Sequence, residues 1–564
     1  MRTDGVLTGP GAPFAVVRGE DGSPRYADGP RTLVEFVEPV WAFGDRVFLI
    51  GESASYTYRE FFAAACALAR RFAEVYGLRP GDRAGIAMRN HPEWQIAFWG
   101  AQLAGLIAVP LNAWWTEAEL TYALDDCAPA VLLVDGERLS AVDGWRRGSG
   151  ARAVVFDGEQ DGRDGWGTGV EWYEDFEAPD PYGAPPAVEI RPEDDATIVY
   201  TSGTTGRPKG AVATQLAMAG AATHPRYHAA AAALARGTLP GMGPAPVTLM
   251  TYPFFHVAAF TALCSAMAVG GTLVLLRKWD AERALALIAE HGVTHYAGVP
   301  ATALGLLAAA ERHGSPLTTL THLATGGAPA PGDLVARLTA RHGRRIEPRN
   351  GYGLTETGGG VLANFGDECR QEPACVGRPA PAVETRIAGP DGRELPEGEV
   401  GELWLRGQSL VRGYWRDERA TAEAFRDGWF RTGDLAVARD GGRITVVDRI
   451  TDMVIRGGEN VYCAEVESAL HEHPEVEDAA VFGVPDPVLG EQVVAVVRLR
   501  AGAAAEVSGE ALRRYAGLRL AAFKVPARVA LGEVPRSPTG KALKRELREA
   551  FLAEHGVDGL RSGG

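Results

Sequence analysis

Residues 200–210 read Tyr-Thr-Ser-Gly-Thr-Thr-Gly-Arg-Pro-Lys-Gly, and no helix or central strand accommodates them. Three glycines and a proline within eleven residues break both kinds of regular structure. Directly upstream, residues 196–200 form a short β-like run. A strand that ends in such a loop puts the loop at the carboxyl edge of a sheet, where open α/β sheets bind ligands. Glycine lets backbone come close to a ligand, and consecutive N–H groups form a concavity for anions. Thr201, Ser202, Thr204 and Thr205 add hydroxyl donors around Gly203 and Gly206, and Lys209 adds a point charge suited to phosphate. This is not a Walker A loop, because Pro208 stands where that pattern needs its second glycine. The run reads as a grip on a polyphosphate, most simply ATP, in preference to an ordinary polar surface loop.

The chain around the loop alternates. Residues 57–75 place Tyr58, Phe61, Phe62, Ala65, Cys66, Ala69 and Phe72 at helical spacing. Residues 83–88, 107–111, 130–134, 247–252, 272–276 and 293–299 read as strands, with helices at 93–104, 117–125, 281–291 and 300–313. Such alternation predicts an α/β class, with parallel sheets and helices on their faces. Residues 1–30 read as an irregular lead-in and 157–193 as a loop-rich connection. From 376 to 447, short β runs separated by Gly-Asp turns predict a small antiparallel barrel or sheet appended to the large domain. Beyond residue 450 a compact strand–helix mixture predicts a smaller α+β domain, ending in a frayed tail at 556–564. A length of 564 residues is too great for one core, and the expected division is 1–449 and 450–564.

Charge and cysteine usage narrow the partners. The net charge is −15 with no basic stripe, which argues against nucleic acid. Six cysteines form neither a disulfide framework nor a zinc pattern, so buried free thiols in a reducing compartment are expected. No signal-like segment is read at the start. The Ala-rich stretch 217–235 is interrupted by Pro225, Arg226 and two histidines, and no membrane span is read. A cytoplasmic location follows as the expectation.

Four further runs carry candidate chemistry. Asn350, Gly351, Tyr352, Gly353, Leu354, Thr355 and Glu356 offer an aromatic ring, an amide, a hydroxyl and a carboxylate. A carboxylate beside a triphosphate is best explained by Mg2+. Asp434 follows a turn glycine and reads as either a cap or an acceptor for ribose hydroxyls. Residues 447–461 span the proposed domain boundary, and Lys541 lies on a Pro/Gly-bounded loop near the end.

With these five runs in this order, the chain resembles the adenylate-forming superfamily of acyl-CoA synthetases, peptide-synthetase adenylation domains and luciferases, over about residues 30–550. The runs at 253–257, 278–280 and 457–462 look most like acyl-CoA synthetases for fatty or other bulky acids. The resemblance implies two half-reactions. A carboxylate attacks the α-phosphorus of ATP to give acyl-AMP and pyrophosphate, and coenzyme A then displaces AMP. It implies that Thr201 to Gly206 and Lys209 hold the β- and γ-phosphates. Asn350, Gly351 and Tyr352 would meet adenine, with Gly327, Ala328 and Pro329 on its other side. Thr355 would reach the α-phosphate, Glu356 would bind Mg2+, and Asp434 and Arg449 would hold the ribose. Lys541 would bridge the attacking carboxylate and the α-phosphate. The two steps would use two orientations of the small domain, turning near Thr451, with Gly457 and Gly458 facing the site in the second.

Two positions depart from the family pattern. Thr451 stands where Lys or Asp is usual, and Cys463 where Pro is common. They raise an alternative in which the enzyme performs adenylation alone and passes acyl-AMP to a carrier protein or partner enzyme. A nucleotide- or acyl-binding protein without activity is a third reading, opposed by the intact Lys209, Glu356, Asp434, Arg449 and Lys541. His256 lies where the resemblance places the start of the acyl pocket, and either a structural role or a pocket role fits it. The pocket is expected to comprise His256, Val257, Phe260, Ala324, Gly326, Gly327, Gly351 and Gly353, with Gly358, Gly359 and Gly360 widening it towards a polycyclic acid. Phe255-His256, in place of a Phe-Asp pair, disfavours an α-amino acid substrate, because an ammonium would be buried unpaired. A homodimer is compatible with this reading.

Overall fold

A computed structural model describes residues 4–157, 163–201, 208–328, 332–500, 502–503, 507–537 and 540–555. The central part of the predicted phosphate loop, Ser202 to Gly206, lies outside the described residues, as do Pro329 and the tail 556–564.

The alternating patterns fold into two parallel sheets. In the first, Arg83–Ala87, Ile107–Pro110, Val131–Asp135 and Arg152–Phe156 run parallel, and Asp195–Thr201 joins beside Ile107–Pro110. In the second, Val47–Ile50, Thr272–Leu275, Val247–Met250, His295–Gly298, His322–Gly326 and Glu347–Leu354 are parallel neighbours. The antiparallel strands expected after residue 376 are present, and they continue the second sheet through Gly359–Phe365 and Cys375–Pro379. Gly490–Leu499 and Val476–Asp486 anchor a separate five-stranded sheet near the C-terminus.

The largest core lies between the two big sheets. Phe48, Phe61, Trp94, Trp99, Met250 and Leu263 are among its buried side chains. The helix Tyr58–Arg70 enters it behind a capping box, in which Thr57 and Glu60 satisfy each other's backbone N–H groups. Its pattern continues to residue 75 through the π turn Arg71–Val75.

Two local outcomes differ from the sequence reading. The lead-in is ordered, with a helix at Asp4–Thr8 and a hairpin pairing Val16–Arg18 with Pro24–Tyr26. Tyr26 fastens this hairpin, its N–H donating to Gln408 Oε1 at 2.9 Å and its hydroxyl lying 2.9 Å from His224 Nδ1. The Ala-rich stretch is one helix, Gln215–Ala235, that passes straight through Pro225. Its small side chains let it pack against strands of both large sheets. Among the described residues, no helix is long and apolar enough to cross a membrane.

Four histidines in the helix Gln215–Ala235 and in the strands His295–Gly298 and His322–Gly326 are held neutral by burial. The pKa is pushed down to about 3 at His224, about 4 at His228, about 3 at His295 and about 2 at His322. Above the ordinary value of about 6.5 these groups are neutral both folded and unfolded, and stability is complete. As pH falls below 6.5 the unfolded chain takes up protons that the folded chain refuses. Each group then costs up to about 1.4 kcal/mol per pH unit. The melting temperature should fall steadily from pH 6.5 to 4.5 in a thermal scan, and a flat profile over that window would contradict the burial argument.

Candidate active site

Register puts the candidate residues at one sheet edge. Thr325 pairs with Asn350 and Gly326 with Gly351 in the parallel ladder, so both runs end together at the carboxyl edge of the second sheet. The next strands bring Asp434 opposite Arg449. Arg449 Nε lies 3.0 Å from Asp434 Oδ1, and the Tyr352 hydroxyl donates to Asp434 Oδ2 at 2.6 Å. Asp434 is only 4% exposed, so its charge is held by these two partners.

A second group comes from the first sheet. Thr201 pairs with Lys209 across the hairpin that flanks the predicted phosphate loop. Lys209 Nζ lies 5.3 Å from the Tyr414 ring centroid, and the Tyr414 hydroxyl donates to Glu356 Oε1 at 2.8 Å. Tyr414 therefore links the loop's lysine to the carboxylate of the other sheet. Glu356 and the half-buried Thr355 sit on a single 3-10 turn, Thr355–Thr357. Thr357 fixes that turn, its hydroxyl accepting from Leu354 N at 2.8 Å and donating to Gly359 O at 2.7 Å.

Lys541 arrives from the C-terminal segment. Burial, together with repulsion from Arg449, pushes its pKa down to about 8, although Asp434, Glu356 and Asp452 pull the other way. Its loop is shaped by Arg536, which donates to Gly540 O at 2.6 Å and clasps Asp478 at 2.6 and 2.8 Å. Gly540 has φ +80°, and a Cβ there would come within 3.2 Å of Val299 Cγ2 on the large sheet. Only glycine meets both demands without strain.

The acyl-pocket residues divide. His256 Nδ1 accepts from Ala258 N at 3.2 Å and caps the helix Val257–Met267, which fixes it as an acceptor. Burial and the nearby Lys541 push the pKa of His256 down to about 4. His256, Val257 and Phe260 line an apolar cavity of about 30 Å³ together with Met218 and Phe254. Ala324, Gly326, Gly327, Gly351 and Gly353 are not among its walls. Gly353 has a backbone reason to be glycine, since a Cβ would lie 2.0 Å from the Gly359 carbonyl oxygen. The widening read from Gly358, Gly359 and Gly360 is corrected. Those positions are packed against Ala221 and Thr261, and Gly360 N donates to Thr261 Oγ1 at 2.9 Å.

Asn350, expected to meet adenine, has its amide nitrogen engaged within the fold. It is 7% exposed, and its amide nitrogen donates to the Pro373 and Cys375 carbonyls at 3.2 and 3.4 Å. Gly327 has φ +78°, a Cβ there would meet only Val299 Cγ1 at 4.0 Å, and Ala328 follows it at the sheet edge. Gly457 and Gly458 form the exposed turn between Val454–Arg456 and Glu459–Val461. Thr451 is exposed in the turn after Arg449, its hydroxyl 3.4 Å from Asp452 Oδ1. Cys463 is buried and donates its thiol to Asp452 O at 3.0 Å, tying the next helix to that turn.

Comparison with known proteins fits this arrangement. Residues 37–415 match the family model described as AMP-binding enzyme, and residues 465–541 match the AMP-binding enzyme C-terminal domain. The chain belongs to the AMP-binding enzyme family. It is 34% identical over 497 residues to a feruloyl-CoA synthase of an Amycolatopsis species, covering 88% of this chain and 94% of that protein. It is 34% identical over 496 residues to the long-chain-fatty-acid–CoA ligase FadD13 of Mycobacterium tuberculosis, covering 87% and 93% respectively. The solved structure of the amide bond synthetase McbA from Marinactinospora thermotolerans matches with a TM-score of 0.76 at 28% identity, covering 93% of this chain and all of that one. Within the family the chain is an adenylate-forming, acyl-CoA synthetase-like enzyme that uses ATP and coenzyme A.

Tyr414, Thr357 and Arg536 went unnoticed in the sequence. Thr357 holds only its own turn, and no local pattern marks a residue whose partner lies 58 positions away, as Glu356 does from Tyr414 and Asp478 from Arg536. The depressed pKa of Lys541 gives a pH signature. As pH rises through about 8 the free enzyme loses this cation, where an ordinary lysine keeps it to about 10.4. The kcat/KM for adenylation should therefore fall above pH 8, and Lys541→Arg should move that limb upward whatever its effect on the maximal rate. A limb unmoved by the substitution would assign the titration to another group.

Proposed function

We propose that this AMP-forming acid–thiol ligase activates a bulky or fatty carboxylic acid as acyl-AMP and transfers the acyl group to coenzyme A. The observation that carries the reading is Lys541, which joins Arg449, Asp434 and Glu356 at one site from a distant part of the chain. Attack at the α-phosphorus concentrates charge on non-bridging oxygens, and fixed cations stabilise it without reorganising. In this reading Lys541 steadies the attacking carboxylate against the α-phosphate, and Thr355 donates to that phosphate. Lys209 and the loop from Thr201 hold the departing pyrophosphate. Asp434 accepts from the ribose while Arg449 fixes its orientation, and Gly327, Gly351 and Tyr352 flank adenine. The nucleophile is already ionised at neutral pH, so no general base is required.

The donor set also fits Mg2+. Among the described residues no cluster of three ligands exists, and Glu356 is a single carboxylate beside the phosphate hairpin. One carboxylate plus phosphate oxygens is how Mg2+ is usually bound, and the ion would neutralise charge on the triphosphate. Coenzyme A would approach past Gly457 and Gly458 after the segment following residue 449 turns about Thr451. The six buried free thiols suit a reducing compartment, and we place the enzyme in the cytoplasm.

Loss of one transition-state cation typically costs about 10²–10³-fold in rate. Lys541→Ala should lower pyrophosphate exchange by about that factor, with ATP affinity changed only a few-fold. Normal exchange in this variant would sink the assignment.

A second reading, in which acyl-AMP passes to a carrier protein or partner enzyme, is favoured by a tie across the turn. Ala464 N, beyond Thr451, donates to Asp448 Oδ2, before it, at 3.4 Å. Rotation has to break this contact. Acyl-CoA should form at the rate of pyrophosphate release under the first reading. Pyrophosphate release far ahead of acyl-CoA, measured by mass on quenched samples, would favour the second.

A further inference from the structure

The segment 411–415 is fastened to both halves of the nucleotide site, and one of its side chains stands between them. On one side, Val411 N donates to Glu356 O at 2.9 Å. On the other, Arg412 N donates to Val212 O at 2.9 Å and Trp415 N to Gly210 O at 2.7 Å, with Tyr414 paired to Ala211 in the antiparallel ladder. Side chains repeat the fastening. Arg412 clasps Asp195 at 2.6 and 2.7 Å, and Trp415 Nε1 donates to Asp126 O at 3.1 Å. The backbone of Tyr414 is therefore fixed both against the turn that carries Glu356 and against the hairpin that carries Lys209. Its ring centroid lies 5.3 Å from Lys209 Nζ, and its hydroxyl reaches Glu356 Oε1 at 2.8 Å.

We propose that Tyr414 is a positioning residue for the metal–nucleotide complex, its hydroxyl holding the Glu356 carboxylate in an orientation that leaves Oε2 for the ion. The proposal rests on the reading of Glu356 as the Mg2+ ligand given above. A phenol is protonated at neutral pH, so towards a carboxylate it only donates. That bond occupies Oε1, and Oε2 has no hydrogen-bond partner among the described residues. An untethered glutamate side chain samples several rotamers, and fixing one of them costs entropy. Here the fastened segment fixes it before ATP arrives. Mg2+ demands near-ideal octahedral geometry and is bound through few carboxylates plus phosphate oxygens, so a fixed carboxylate with one free oxygen suits it. Partners that orient a metal ligand in this way set the affinity of the site. Phenylalanine at position 414 would keep the ring beside Lys209 and the backbone fastening, and would remove only the tether on Oε1.

The test measures ATP affinity of the full chain and its variants by equilibrium dialysis, in EDTA, with excess Mg2+ and with excess Ca2+. The readout is the gain, the ratio of affinity with the ion to affinity without it. Both terms of the ratio come from one protein sample, so a lower folded fraction in a variant cancels. Tyr414→Phe should cut the Mg2+ gain by about tenfold and leave the affinity in EDTA nearly unchanged. The Ca2+ gain should fall less, because Ca2+ accepts irregular coordination and tolerates a carboxylate that wanders. An unchanged Mg2+ gain in Tyr414→Phe overturns the proposal. An equal loss with both ions also overturns it, because that is the mark of a distorted site and not of a misplaced ligand. Glu356→Gln separates this proposal from the reading beneath it. A full Mg2+ gain in Glu356→Gln overturns Glu356 as the metal ligand, and this proposal with it. A gain lost in Glu356→Gln but intact in Tyr414→Phe overturns this proposal alone.

Discussion

A buried carboxylate gives the site its order. Asp434 is almost fully enclosed, a position in which a carboxylate needs its partners in place. Arg449 comes to it from the neighbouring strand, and Tyr352 comes from the end of the parallel sheet. That one group joins the parallel part of the second sheet to its antiparallel extension. It also sets the field in which Lys541 is held: Asp434 and Glu356 attract the lysine while Arg449 and burial oppose it. Removing the carboxylate would leave two cations facing each other in a poorly solvated cleft.

The sheets were legible in the sequence because their signal is local. The alternation of apolar runs and amphipathic helices appears within windows of a few residues, and it predicted most strands of the first parallel sheet and half of those of the second to within a residue or two. The joining of the antiparallel strands to the second sheet was not legible. It depends on Gly359–Phe365 pairing on both sides, and pairing between strands has no sequence pattern of its own. The helix Gln215–Ala235 was hidden for another reason. Pro225 and two histidines break its apolar pattern, yet dense packing on both faces outweighs the lost hydrogen bond.

At the site, glycine was the least reliable guide. The sequence offers many glycines near the expected pocket, and room for substrate was one explanation. The structure supplies others: backbone against backbone at Gly353, and contact with Thr261 at Gly359 and Gly360. Asn350 shows how much a sequence leaves open, since its amide nitrogen already serves two nearby carbonyls. Charged residues were better guides. Lys209, Glu356, Asp434, Arg449 and Lys541 are hard to bury without purpose, and contacts or electrostatic coupling join them all to one neighbourhood.

All six cysteines are free and buried. Thiol-directed dyes and spin labels need exposed sulfur, so the native fold offers them no surface target at these positions. A single cysteine placed on the exposed turn near Gly458 and another on the large unit would therefore be labelled cleanly, without first stripping the native ones. The distance between two such labels would follow the C-terminal segment through the catalytic cycle in real time. The same burial keeps a thioester product away from the enzyme's own thiols.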